Sequence, residues 1–132
     1  MNNNSILYIN FRDDFLRISI SSIVYFEAEG NYTNIVLKNG MKGTVCMNLL
    51  QVQDLLSRSL KEVATTFARV GRKHIVNLNY VFQISILRQR LVLSDGDRFS
   101  YNLAVSKDAL KKLREMFVSS KAAAGERGHR EA

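Results

Sequence analysis

Ile35-Val36-Leu37-Lys38-Asn39-Gly40-Met41-Lys42-Gly43-Thr44 sets the reading of the fold. An apolar run ends at Asn-Gly, the strongest short-range hairpin signal, because a type I′ turn needs positive φ at both centres. Strands are predicted over residues 32–37 and 42–46. Farther on, Leu91-Val92-Leu93-Ser94-Asp95-Gly96-Asp97-Arg98-Phe99-Ser100 resembles the same pattern at a constant offset of 56. It predicts a second hairpin at Asp95-Gly96. Each copy leads into a helical pattern, so the chain reads as a doubled strand–hairpin–helix unit, the alternative being a chance match of two hairpins. The unit is too short to indicate a solenoid.

Working outward, residues 5–103 read mostly as short strands. Ile6-Leu7-Tyr8-Ile9 ends at the polar cluster Arg12-Asp13-Asp14. Leu16, Ile18 and Ile20 alternate with Arg17 and Ser19, the period of a half-buried strand. Ile23-Val24-Tyr25-Phe26 is the continuous run of a more deeply buried one. Further strands are expected at residues 67–70, 75–78 and 81–86. Leu49, Val52, Leu55, Leu56 and Leu60 have helical spacing, with Asn48 as N-cap, predicting a helix over 48–60. Leu110, Leu113, Met116 and Phe117 predict another over 106–118, capped by Ser106 with Asp108 in its first turn. The fold class is therefore mainly β, with two hairpins and two short helices. Residues 1–4 and the small, polar, aperiodic stretch 119–132 are expected to be disordered around a domain at 5–118.

Composition narrows the function. The chain has 132 residues, the length of a single domain. No uncharged stretch approaches the roughly 18 apolar residues of a membrane span. The first residues do not resemble a secretory signal, which points to the cytoplasm. One cysteine and two histidines exclude a disulfide framework and a zinc site of the usual kind. No phosphate loop, metalloprotease motif or nucleophile elbow occurs, so neither an enzyme, a cofactor nor a small-molecule substrate is expected. Glu27 and Glu29 share a strand face without an evident catalytic partner. His74 reads as a half-buried structural side chain.

Charge is more telling. The formal net charge is +7. Residues 1–60 are balanced, whereas residues 61–118 hold eleven basic and five acidic side chains. The excess thus lies in the folded region and suggests a polyanion partner. Three loop-like regions carry suitable groups, at residues 29–34, 69–74 and 102–107. Arg and Asn can read base edges, and Lys and Arg neutralise phosphate. Two other readings stay open. One is a β-rich protein-interaction module. The other is a single-strand binder stacking bases on Tyr32 and Tyr101. Arg88 and Lys61 are placed off the reading edge.

Ile23-Val24-Tyr25-Phe26-Glu27-Ala28-Glu29-Gly30-Asn31-Tyr32-Thr33 resembles the opening signature of the LytTR family of bacterial DNA-binding domains. Phe67-Ala68-Arg69-Val70-Gly71-Arg72-Lys73-His74-Ile75-Val76-Asn77-Leu78 resembles its second signature, and Val105-Ser106-Lys107 its third. The resemblance implies an elongated β fold whose edge loops enter two successive major grooves of duplex DNA and touch the minor groove between them. It implies a role in transcription regulation. By position, it implies DNA contacts from Asn31, Tyr32 and Thr33, from Arg72 and Lys73, and from Lys107. Arg69 and Asn102, in the same loop regions, complete the candidate set. Two positions depart from the family pattern: Gly71 stands where His is common and Lys73 where Ser is common. The resemblance also implies a second copy on repeated DNA sites. Because family members usually carry a receiver or membrane segments ahead of this domain, a separate membrane or signalling partner is expected for a chain that starts here.

Overall fold

The chain begins with a hairpin of β1 (Ile6–Phe11) and β2 (Asp14–Ser19); a 3-10 turn at Ile20–Ser22 then feeds β3 (Ile23–Glu29), β4 (Tyr32–Leu37) and β5 (Lys42–Val45). Helices α1 (Leu49–Ser57) and α2 (Lys61–Ala64) precede β6 (Phe67–Val70) and β7 (His74–Asn77). After a 3-10 turn at Leu78–Tyr80 come β8 (Val81–Ser85), β9 (Arg90–Ser94), β10 (Ser100–Ala104) and α3 (Lys107–Ser120). The structure, a computed structural model, describes residues 5–59 and 61–120. Residues 1–4 and 121–132, for which disorder is expected, lie outside the described residues, as does Leu60. Ser119 and Ser120 belong to α3.

The fold is mainly β. Its centre is a five-stranded antiparallel sheet in the order β5-β4-β3-β7-β6, accompanied by a three-stranded sheet β10-β9-β8 and the β1-β2 ribbon. Strand β3 lies in the middle of the large sheet, which is why its sequence is apolar without alternation. Ile23 and Phe26 face a core built with β1, α1 and α2, while Val24 and Tyr25 face a second core built with β9, β10 and α3. An irregular register between Ile23 and Tyr25 puts two successive residues on the same side. The neighbouring strands divide in the same way: Ile35 and Ile75 go to the first core, and Val36 and Val76 to the second.

Both predicted hairpins form, but neither turn is type I′. Only Gly40 and Gly96 have positive φ in them, at 91° and 81°. Gly40 N–H donates to the Leu37 carbonyl, and Leu37 N–H donates to Met41, giving a three-residue loop that ends in a left-handed glycine. The second loop is longer, since Ser94 pairs with Ser100. Asp95 organises it: its carboxylate accepts from the backbone N–H groups of Asp97, Arg98 and Phe99. These bonds hold the Asp95 carboxyl below its ordinary value. The two hairpins therefore differ in register. An offset of 56 would set Val92 opposite Arg98, but Val92 faces Asn102. The doubling holds at the level of element order alone.

The helices follow their capping chemistry. Asn48 Oδ1 accepts from Gln51 N–H, and Gln51 Oε1 accepts from Asn48 N–H, each at 2.9 Å. Ser106 Oγ accepts from Ala109 N–H at 3.2 Å. Helix α1 ends at Ser57, short of the expected residue 60. The single-turn α2 carries no long periodicity and is invisible to a pattern search. With Val63 buried and four residues in all, it offers no second helix for a helix-turn-helix.

Candidate nucleic-acid interface

Strand directions decide where the candidate loops meet. Strand β3 ends at Glu29, and Gly30-Asn31 turns it into β4. Gly30 has φ of 61° and Asn31 is not left-handed, the pattern of a two-residue II′ turn. Glu27 pairs with His74, and Ala28 N–H donates to the Lys73 carbonyl at 2.9 Å. The β3–β4 turn and the β6–β7 turn at residues 71–73 are thus side by side. Gly71, with φ of 69°, closes the second turn; a Cβ built on it would lie 3.6 Å from Ala109 Cβ in α3. Residues 70–74 line a cleft of about 480 Å³ together with Ala104, Val105 and Ser106. This brings the β10–α3 junction against the other flank of the second turn. Three segments separated in sequence form one end of the molecule, with the 71–73 turn central.

The charge at this end is available. Arg72, Lys73 and Lys107 are exposed. Among the described residues the ion pairs are Arg58–Asp54, Arg98–Asp97 and His74–Glu27, so none of the three cations is in one. Two carboxylates of β3 at this end are engaged, while Asp108 beside Lys107 is exposed. Glu27 Oε2 lies 3.0 Å from His74 Nε2, and Glu29 Oε1 accepts from Asn34 at 2.7 Å. Asn31 and Tyr32 are exposed, Tyr32 by 50%.

Not every candidate residue faces out here. Thr33 is fully buried and its hydroxyl donates to the Met47 carbonyl at 2.7 Å. Strand alternation turns it inward directly after the exposed Tyr32. Its role is to tie the β5–α1 connection to β4. Thr33→Val therefore leaves a buried carbonyl without its donor and lowers stability by about 1–3 kcal/mol. Urea denaturation checks this. Arg69 is also turned to the protein. Its Nε donates to Gly71 O, one terminal nitrogen to Gln53 Oε1 and the other to Arg72 O, all within 3.0–3.1 Å. Asn102 is exposed on β10 but set back from the junction, outside the cleft. Tyr101 points the other way: its hydroxyl donates to Leu37 O near the distal hairpin tip.

Arg88, expected off this edge, is at the same end. It is exposed in the β8–β9 connection, where Gln89 O accepts from Val105 N–H at 3.1 Å. Leu87 beside it is 83% exposed. The antiparallel pairing of Ala104 with Arg90 carries this connection to the α3 junction. Sequence could have flagged it through Arg88 in the turn and Arg90 at the start of β9, a basic pair two residues apart. Lys111 and Arg114 are also exposed, one and two helical turns after Lys107 on one face of α3.

His74 sits under the edge, 5% exposed, with its ring edge-on to Tyr25. Burial, with Lys73 adding to it, lowers its pKa below 6.5; the Glu27 bond opposes this. The folded state thus holds neutral His74 where an unfolded chain already takes up a proton. Stability should be highest above pH 6.5 and fall as pH drops below it towards the lowered folded value. Urea midpoints measured across this range for wild type and His74→Gln check the sign, since the variant should lose less. Burial, then Glu27 and Tyr101, push the Tyr25 phenol up to about 12.

Among the described residues no three His, Cys, Asp or Glu side chains group to hold a metal ion, and no helix is long and apolar enough to cross a membrane. Residues 13–118 match the LytTr DNA-binding domain family. A solved LytTr DNA-binding domain of a protein from Bacillus cereus superimposes with a TM-score of 0.59 at 22% identity, covering 86% of this chain and 96% of that one. The heme-containing CO-sensing transcriptional regulator RcoM 2 of Paraburkholderia xenovorans is 29% identical over 99 residues, 75% of this chain. The match spans 34%, about a third, of that regulator's length. With its signatures in order and the family matched from residue 13 to residue 118, the chain belongs to the LytTR family of DNA-binding domains.

Proposed function

We propose that this domain binds double-stranded DNA sequence-specifically, in transcription regulation, through the end formed by its three adjoining turns. The observation that carries the reading is the meeting of Asn31 and Tyr32, Arg72 and Lys73, and Lys107 on one edge, with none of these cations ion-paired among the described residues. Asn31 and Lys107 offer base-edge contacts in the major groove. The central turn carries Arg72 and Lys73, with glycine at 71, so charge dominates there. A narrow A·T-rich minor groove, more negative than average, suits such a turn. Lys111, Arg114 and Arg88 supply phosphate contacts on the flank.

The test is selection of bound duplexes from a random pool. A recurrent motif with an A·T-rich centre is expected; recovery of no motif would defeat the reading. In a salt titration with the selected duplex, five phosphate contacts give a log–log slope of about −4 to −5. A slope near zero would favour a protein-interaction module instead. Equal affinity for either separated strand would favour a single-strand binder.

A further inference from the structure

The guanidinium of Arg69 makes a three-way junction. It reaches the carbonyls of Gly71 and Arg72 in the β6–β7 turn and the side-chain amide of Gln53 in α1, at 3.1, 3.0 and 3.1 Å. Among the described residues no carboxylate pairs with it. The turn spans only residues 71–73, between the paired Val70 and His74, so its carbonyls have few ladder partners. Left outward, such carbonyls would face phosphate oxygens with like partial charge. Drawn onto Arg69, they leave the exposed side chains of Arg72 and Lys73 as the outward groups. Only a planar fork can meet three acceptors in these directions; an ammonium cannot.

We propose that Arg69 and Gln53 are positioning residues for the Arg72–Lys73 turn, coupling helix α1 to the DNA-facing edge. This rests on the reading of that edge as the DNA site. Arg69 acts through Arg72 rather than by touching DNA. Its uncompensated charge adds to the local positive potential, which Arg69→Lys retains.

The experiment is a double-mutant cycle on the duplex recovered by selection. Arg69→Lys and Gln53→Ala should each weaken binding by about fivefold to tenfold, the size of coupling within one hydrogen-bonded network, with the salt slope unchanged. In an Arg72→Ala background each should cost less than about twofold. Full losses persisting in that background would overturn the proposal, because Arg69 would then contact DNA directly or prop the fold at large. A second readout needs no DNA. Amide exchange at residues 71–74 of the free protein should speed up in Arg69→Lys and Gln53→Ala while the central strand stays protected. Unchanged exchange there would overturn the positioning role. Failure of wild type to bind duplex would instead overturn the DNA reading, and the exchange result would judge the junction by itself.

Discussion

Replacing Arg72, Lys73 and Lys107 together by Ala lowers affinity for duplex DNA by about a hundredfold near physiological salt. Each cation brought against the duplex, at a phosphate or in a groove, displaces close to one condensed counterion, worth somewhat under tenfold in affinity at such salt. Removing three should also reduce the magnitude of the salt slope by about 2.7. The three side chains are exposed and outside any ion pair among the described residues, so the fold should survive the change. A filter or anisotropy titration at several salt concentrations, with circular dichroism as a check on folding, reads both quantities. As a control, Lys38→Ala at the distal hairpin tip removes a charge from the far end and should change binding little.

Phe26→Ala should be the most damaging single change to stability, at about 3–5 kcal/mol. Phe26 is fully buried in the middle strand of the large sheet. Its ring meets Phe67 edge to face at a centroid distance of 5.4 Å, so β3 and β6 share that contact. A cavity there sits between the sheet and the helices α1 and α2, and β3 is hydrogen-bonded on both sides, which restricts collapse into the gap. Domains of this size have about 5–15 kcal/mol in total. The same deletion at Phe15, 60% exposed on the outer ribbon, should stay within about 0.5 kcal/mol. Urea unfolding of both variants checks the contrast. A loss below about 1 kcal/mol at Phe26 would mean that the core is not packed as described.

Much of this was legible in the sequence, and the physical reason differs from element to element. Asn48 and Ser106 announce their helices because capping chemistry is local. Asn39-Gly40 and Asp95-Gly96 announce hairpins, but the left-handed residue falls only on the glycine, so loop length and register escape the pattern. The buried run in β3 is readable as deep burial. The register irregularity that shares it between two cores is not. At the site, the signatures pick out Asn31, Tyr32, Arg72, Lys73 and Lys107, all of them exposed, in the turns or on the first residue of the element that follows. Thr33 was hidden by parity, since one step along a strand exchanges surface for core. Arg69 could not be read because its partners are two backbone carbonyls and a glutamine 16 residues away. Arg88, placed off the edge from sequence, lies at this end because the direction of β9 depends on a hairpin closing at the opposite end of the molecule.

The most direct measurement is amide hydrogen exchange of the free domain against the domain bound to its selected duplex. Slowed exchange is expected at residues 30–32, 71–73 and 105–107, with a weaker effect at 87–89. Residues 38–41 and 95–99, at the distal tips, should be unchanged. Protection at those tips or along the β1–β2 ribbon, with none at the three adjoining turns, would contradict the assignment of the DNA-binding edge.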